Sequence, residues 1–158
     1  MKIITLTTYT PEIATRIREL LIQLSRSKTD RGEIPEAWFI DLINSPYHDM
    51  LLAIDDTDTT APESAALSGH IVGIATLSII MGPIVRRMAY LEDFVTDESC
   101  RGQGIGSALW DAMLDWARAH ACTELNFTSG KGREAAWAFY QHKGAEIYDT
   151  NFFRLSLS

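Results

Sequence analysis

The sequence predicts a mixed α/β fold in a single domain, and three observations support this class. Apolar residues recur with the period of a strand in some segments and with the period of a helix in others. The segments follow one another in the order β-α-α-β-β-β-α-β-α-β-β, which favours one mixed sheet covered by helices. The 158 residues are enough for one domain with a sizeable buried core.

The N-terminal half begins with a strand and two helices. The first helix begins at Thr10-Pro11-Glu12, because a hydroxyl cap, a proline and an acid are typical of the start of a helix. The second helix ends before Asn44-Ser45-Pro46, where the proline disfavours helical backbone. The predicted elements of this half are a strand over 2–7, the first helix, a polar loop over 25–33, a helix over 35–43, a strand over 50–54 and a long hairpin loop over 55–69.

The C-terminal half contains the strongest strand and helix patterns. Apolar residues spaced three and four apart on one face predict a helix over 105–120. Gly144 is expected to end the last helix. The predicted elements of this half are strands over 70–80, 86–96 and 123–128, helices over 105–120 and 132–142, and a closing pair of strands over 145–148 and 152–157.

A glycine-rich loop joins the strand over 86–96 to the helix that follows. The loop, Arg101-Gly102-Gln103-Gly104-Ile105-Gly106, leaves backbone N–H groups at a helix N-terminus uncovered by side chains. These amides and the positive end of the helix dipole attract phosphate. The glycines let a ligand approach the backbone and permit positive φ. The loop therefore predicts a site for a cofactor that carries a diphosphate.

Two other interpretations of this loop remain open. A dinucleotide fingerprint needs Gly-x-Gly-x-x-Gly in a first βαβ unit, but residue 107 is Ser and the loop follows three or four strands. In the second interpretation, the glycines only begin a helix and bind no ligand, because short motifs give false positives.

Three segments resemble the GCN5-related N-acetyltransferase (GNAT) superfamily. Residues 101–106 are similar to its acyl-CoA loop, Gln/Arg-x-x-Gly-x-Gly/Ala, and Leu91-Glu92-Asp93-Phe94-Val95 is similar to its fourth strand. Residues 133–145 resemble its signature Ala-x-x-Phe-Tyr-x-x-x-Gly-Phe, although Ala145 stands where an aromatic residue is usual. With matching elements before, between and after them, the resemblance covers nearly the whole chain.

The resemblance implies a fold and a co-substrate. The fold is a mixed, mostly antiparallel central sheet of about six or seven strands, flanked by about four helices and splayed between the fourth and fifth strands. The co-substrate is acetyl-CoA, without a metal. Its pantetheine arm would pair with the backbone of Phe94, Val95 and Thr96, and Asn126 would contact either this arm or the substrate, or face solvent. Its diphosphate would lie on amides of Arg101, Gly102, Gln103, Gly104, Ile105, Gly106 and Ser107.

Acetyl transfer to an amine needs a base, a polarised carbonyl and a proton for the leaving thiolate. The resemblance makes Glu92 the candidate base, with Asp93 in reserve. We expect these two side chains on opposite faces, because side chains alternate along a strand. Tyr140 resembles the tyrosine that protonates the CoA sulfur, and the N–H of Val95 would polarise the carbonyl. A solvated or ion-paired Glu92 and a Tyr140 that only packs are the structural alternatives.

Composition argues against several other functions. The net charge of −7 comes from 14 basic and 21 acidic residues, and no basic stripe suits a nucleic acid. We expect no membrane span and no signal peptide, and therefore a cytoplasmic protein. The histidines and cysteines lack metal-ligand spacing.

The sequence and the resemblance thus predict an N-acetyltransferase that acts on the primary amine of a small molecule by direct attack in a ternary complex. The alternatives are a non-catalytic acyl-CoA-binding module or sensor and, more distantly, a nicotinamide-dependent oxidoreductase. The acceptor pocket would be formed by residues 25–46, 55–69 and 82–87, so the acceptor stays unidentified, although acidity favours a cationic amine. The resemblance also allows a homodimer.

Overall fold

The computed structural model describes residues 1–25, 27–55, 70–84 and 86–157. The chain divides into two compact units, Met1–Phe127 and Thr128–Ser158, and each unit is described by itself. That all 158 residues form one acetyltransferase domain stays a prediction.

The first unit is built on a five-stranded sheet whose strands lie side by side in the order in which they occur along the chain. Neighbours among the first four strands are antiparallel, and the fifth strand pairs in parallel with the fourth. The predicted mixed, mostly antiparallel sheet is therefore confirmed. The strands are β1 (Lys2–Thr5), β2 (His48–Ile54), β3 (Ile71–Gly82), β4 (Arg86–Thr96) and β5 (Leu125–Phe127).

The described residues form four α-helices, the predicted number. They are α1 (Pro11–Leu24), α2 (Glu36–Asn44) and α3 (Ile105–Ala119) in the first unit and α4 (Glu134–His142) in the second. α1 begins as predicted, because the Thr10 hydroxyl accepts a hydrogen bond of 3.3 Å from the Ile13 N–H. Among the described helices, none is long and apolar enough to cross a membrane.

The two faces of the sheet carry different helices. One face packs against α1 and α2 through a buried apolar cluster, which includes Ile13, Ile17, Leu20, Phe39, Leu42, Met50, Leu52, Ile74 and Val95. Gly73 precedes Ile74 and faces the other way, toward α3. A Cβ atom on Gly73 would lie 3.0 Å from Leu109 Cδ1 and 3.1 Å from the Val95 carbonyl oxygen. The missing side chain therefore lets α3 lie close to the sheet.

The six or seven predicted strands are not confirmed. Residues 145–148 and 152–157, expected to form a closing pair, have no regular secondary structure, and Ile147, Phe152 and Phe153 are largely exposed. Apolar and β-branched residues favour a strand only where a neighbouring strand is there to pair with them. From residue 56 onward, the predicted hairpin loop over 55–69 lies outside the described residues.

Candidate active site

A β-bulge interrupts the pairing of β3 and β4 at Glu92. Thr76 pairs with Asp93 and Leu77 pairs with Leu91, so Glu92 is an extra residue without an opposite partner on β3. Such a bulge breaks the alternation of side chains and re-aims the bulged residue.

The bulge brings the two predicted carboxylates to the same face of the sheet. Thr76 and Ser78 are two residues apart on β3 and therefore share a face. The Ser78 hydroxyl donates a hydrogen bond to Glu92 Oε1, and Asp93 lies opposite Thr76. The expectation that Glu92 and Asp93 point to opposite faces is therefore wrong, because it assumed a regular strand.

The two carboxylates occupy different environments. Glu92 is exposed. Burial raises the pKa of Asp93, and the negative charge of Glu92 raises it further, while the Thr76 hydroxyl and the charge of Arg31 oppose the rise. The Thr76 hydroxyl is buried and, among the described residues, makes no hydrogen bond of regular geometry, so its approach to Asp93 only weakly stabilises the ionised form.

Beyond the bulge, β4 continues past the end of its pairing with β5. That parallel pairing covers three residue pairs and ends at Leu91 and Phe127. The predicted pantetheine-binding residues Phe94, Val95 and Thr96 come after this point. On the other edge of β4, they continue to pair with β3.

Asp97 organises the turn that follows β4. Its backbone N–H donates to the Val72 carbonyl at 2.9 Å. Its Oδ1 accepts hydrogen bonds from the Ser99 N–H at 2.9 Å and the Ser99 hydroxyl at 2.6 Å. The 3₁₀ turn Glu98–Cys100 begins here and leads directly into the glycine loop.

Two glycines of the loop adopt left-handed backbone conformations. φ is +79° at Gly102 and +82° at Gly104, and a Cβ at either position would meet nothing within 4 Å. The backbone angle, rather than a lack of space, therefore favours glycine at both positions.

The loop ends at an uncapped helix N-terminus. Gly104 is the N-cap residue of α3, no side chain caps the helix there, and the first turn contains no acidic residue. Arg101, Gly102, Gln103 and Gly104 are exposed, whereas the Ile105 side chain is buried. The structure thus brings the predicted residues 101–107 together at a place suited to an anion.

Asn126 occupies a different position. Its side-chain amide donates to Met88 Sδ at 2.6 Å and to Glu124 Oε2 at 3.5 Å, and it lies opposite Tyr90 in the sheet. Met88 and Tyr90 belong to the part of β4 that precedes the bulge. A role of Asn126 in binding the cofactor stays a prediction.

Tyr140 belongs to α4 in the second unit. Its ring lies edge-on to that of Phe139, with centroids 5.7 Å apart. Burial raises the pKa of the Tyr140 phenol, and the charge of Arg133 opposes the rise. A phenol with a raised pKa keeps its proton at neutral pH and is available as a donor.

Sequence reasoning missed the two hydroxyl residues that face the carboxylates. Thr76 and Ser78 are polar residues two positions apart in the otherwise apolar strand β3, and both are buried. Buried hydroxyls in such a strand need polar partners, a signal that was present in the sequence. Among the described residues, no three His, Cys, Asp or Glu side chains are grouped to hold a metal ion.

Comparison with known proteins gives relatives that are acetyltransferases. An N-acetyltransferase of Bacillus subtilis (strain 168), named YhdJ and uncharacterized, is 34% identical over 65 residues, which span 41% of this chain and 46% of that protein. This chain thus matches less than half the length of that relative.

Solved structures share the fold. An aminoglycoside acetyltransferase from an uncultured soil metagenomic sample, meta-AAC0020, is 21% identical with a TM-score of 0.73, over 98% of this chain and 95% of that chain. A ribosomal-protein-alanine N-acetyltransferase from Brucella melitensis biovar Abortus 2308 is 19% identical with a TM-score of 0.69, over 99% and 100% of the two chains.

The family assignment comes from a longer match. The profile of the acetyltransferase (GNAT) family matches residues 19–145, which include β2 to β5, the bulge, the glycine loop and Tyr140. The chain belongs to the acetyltransferase (GNAT) family.

Proposed function

We propose that this protein is an N-acetyltransferase that transfers acetyl from acetyl-CoA to the primary amine of a small molecule. The observation that carries the proposal is the arrangement along β4. A bulge turns an exposed carboxylate, Glu92, out of the regular sheet, and the same strand leads into an uncapped helix N-terminus at Gly104. Acetyl transfer from a diphosphate-bearing donor needs a base and an anion site, and here β4 carries the first and leads into the second.

Acetyl-CoA would bind from the end of β4 to the start of α3. Its diphosphate would accept hydrogen bonds from the amides of residues 101–107 and interact with the positive end of the α3 dipole. Its pantetheine arm would lie along residues 94–96, where the parallel pairing with β5 has already ended. An extended amide-rich arm suits a strand edge at this point.

Glu92 would act as the base, directly or through a water molecule. It is exposed and therefore accessible to the amine. The Ser78 hydroxyl holds Oε1, which leaves the second carboxylate oxygen for the proton of the amine. Asp93 is less suited to this role, because it is half-buried and therefore less accessible to the amine than Glu92.

The reaction would proceed by direct attack in a ternary complex. The amine nitrogen forms a bond to the thioester carbon, the carbon–sulfur bond breaks, and the amine proton passes to Glu92. The departing CoA thiolate takes a proton from Tyr140, whose raised pKa keeps the phenol protonated until that step. The N–H of Val95 would not polarise the thioester carbonyl as expected, because the register of β3 and β4 directs that N–H toward Ile74; a backbone N–H on the open edge of β4 would take this role.

A small cationic amine is the acceptor class that the charges favour. Two adjacent carboxylates and a net charge of −7 attract a positively charged molecule. One structural neighbour, an aminoglycoside acetyltransferase, has been crystallised in complex with sisomicin, which supports a small amine, whereas another is named a ribosomal-protein-alanine N-acetyltransferase. We also propose that the protein works in the cytoplasm.

An amine panel tests the proposal. The purified protein, acetyl-CoA and single candidates from the aminoglycosides, polyamines, amino acids and N-terminal peptides are mixed, and release of the CoA thiol is measured. We expect release with at least one cationic small amine and an acetylated product by mass spectrometry. Binding of acetyl-CoA without turnover of any amine would instead favour the non-catalytic acyl-CoA-binding module.

A pair of tyrosine variants tests the role of the Tyr140 phenol. Tyr140→Phe should lower turnover while binding of acetyl-CoA persists, and the control Tyr148→Phe, which alters an exposed tyrosine of the same unit, should leave turnover unchanged.

A thermal-shift experiment tests the identity of the cofactor. A shift of the melting temperature with NADH but not with acetyl-CoA would overturn the proposed cofactor.

A further inference from the structure

Helix α1 contacts the turn that precedes the glycine loop. Arg16 Nη2 lies 2.5 Å from Asp97 Oδ2, and Arg16 Nε donates to the Ile71 carbonyl at 2.9 Å. The side chains are only 20% and 9% exposed. This partly buried pair therefore joins α1, the start of β3 and the turn after β4.

Two weaker contacts reinforce the same junction. The Gln23 side-chain oxygen accepts a hydrogen bond of 2.9 Å from the Glu98 N–H. Lys28 Nζ, just beyond α1, lies 3.2 Å from Glu98 Oε2. Both contacts are made to Glu98, the first residue of the 3₁₀ turn. Together with the Arg16 pair, they connect α1 and the residues after it to Asp97 and Glu98.

Asp97 is stabilised in its ionised form by this arrangement. Hydrogen bonds from Ser99 and the Arg16 guanidinium hold the pKa of Asp97 far below its usual value, against the effect of burial. A charged side chain in this position resists displacement, because any movement would leave a buried carboxylate without its partners.

We propose that Arg16 and Asp97 are positioning residues for the diphosphate of acetyl-CoA. The pair fixes the turn from which Arg101 to Gly104 extend and so sets where the loop amides point. Neither side chain needs to touch the ligand. The inference rests on the proposed function, and it adds that the affinity for the cofactor depends on a contact made by α1, a helix remote in sequence from the loop.

Binding of CoA to single variants provides the test. Calorimetric titration of CoA into Arg16→Gln should give a Kd about 5–30-fold above that of the wild type, because a misplaced loop loses one or more hydrogen bonds to the diphosphate. Arg16→Lys should give an intermediate increase, since lysine keeps the charge but cannot bind Asp97 and the Ile71 carbonyl through one planar fork. It also serves as the test variant if Arg16→Gln does not fold.

Arg18→Gln is the matched control. Arg18 is on the same helix and forms an ion pair with Asp30 rather than with a residue of the turn. Its Kd for CoA should remain within about twofold of the wild type. An equal increase in Arg18→Gln and Arg16→Gln would show a general effect of weakening α1 and would overturn the inference.

A truncated donor separates positioning of the diphosphate from a purely structural role. Acetyl-pantetheine lacks the diphosphate, so kcat/KM for this donor should be the same in Arg16→Gln and the wild type within about twofold, whereas kcat/KM for acetyl-CoA should fall with the change in Kd. Equal losses for both donors would overturn the inference. Failure of the wild type to bind CoA at all would overturn the proposed function, whereas unchanged CoA binding in the Arg16 variants would overturn the positioning role alone.

Discussion

Asp93 and Asp97 are the same residue type on one continuous stretch of chain, yet their surroundings affect them in opposite ways. Asp93, beside the bulge, has a raised pKa because it is partly buried next to Glu92. Asp97, in the turn, has a lowered pKa because Ser99 and Arg16 stabilise its charge. The surroundings of Asp93 therefore disfavour its negative charge, whereas the surroundings of Asp97 stabilise its negative charge.

This difference separates a region suited to chemistry from a region suited to binding. Two adjacent carboxylates destabilise each other when both are ionised, and groups with perturbed pKa values concentrate at functional sites. A carboxylate with several donors instead makes the backbone around it rigid. We therefore expect changes at the bulge to alter turnover and changes at the turn and loop to alter stability and cofactor affinity.

The largest expected effect is on turnover. Glu92→Gln should lower kcat by about 10²–10⁴-fold, because it removes the proposed base without changing the shape of the side chain, and the Kd for CoA should be unchanged. Steady-state kinetics and calorimetry measure the two quantities. Asp115→Asn, on the exposed side of α3, is the control; a kcat for Glu92→Gln equal to that of the control would remove Glu92 from the mechanism.

At the turn, the largest effect should be on stability. Asp97→Asn should lower the free energy of unfolding at pH 7 by about 2–4 kcal/mol, because Arg16 loses its charged partner. Since the pKa of Asp97 is lower in the folded than in the unfolded state, its contribution is present above the ordinary aspartate pKa of about 3.9 and is lost as the pH falls below that value.

Urea denaturation between pH 7 and pH 3 measures this dependence. The wild type should lose more stability than Asp97→Asn over that range, so that the two curves approach each other as the pH falls below about 4. A constant difference between them at every pH would contradict the assigned role of the Asp97 charge.

A smaller effect is expected from the loop backbone. Gly104→Ala should raise the Kd for CoA about 5–30-fold, because φ of +82° disfavours a residue with a Cβ by about 1–2 kcal/mol and relaxation would turn the α3 amides away. Gly32→Ala, with φ of +92° and nothing within 4 Å of its Cβ, introduces the same strain elsewhere. Its melting temperature should fall similarly while CoA affinity is kept, and loss of affinity in both variants would remove the loop-specific effect.

The smallest effect is expected at Asp93. Asp93→Asn should leave the free energy of unfolding at neutral pH unchanged or raise it by up to about 1 kcal/mol. Because the folded state holds the Asp93 proton more tightly than the unfolded chain, the wild type loses stability as the pH rises from the ordinary aspartate pKa through the raised value. The advantage of Asp93→Asn should therefore grow between pH 4 and pH 8 in urea denaturation, and a variant that is clearly less stable than the wild type would show that the Asp93 charge is structurally required.

Local patterns predicted most of the fold and the whole of the glycine loop. The bounds of β4 match residues 86–96, and the cap of α1 is the predicted Thr10, because both depend on neighbouring residues. The bulge depends on the register between two strands, and the Arg16–Asp97 pair joins residues 81 positions apart. Neither has a local signal, so the shared face of Glu92 and Asp93 and the anchoring of Asp97 by Arg16 could not be predicted.

The bulge at Glu92 also has a consequence for insertions and deletions. Leu91 and Asp93 pair with the adjacent residues Leu77 and Thr76, so a chain that lacked Glu92 would restore regular pairing on both sides of the gap. Such a deletion would keep every other residue of β4 on its present face and remove only the proposed base. The proposed base is thus the one residue of β4 that is not needed for regular pairing with β3.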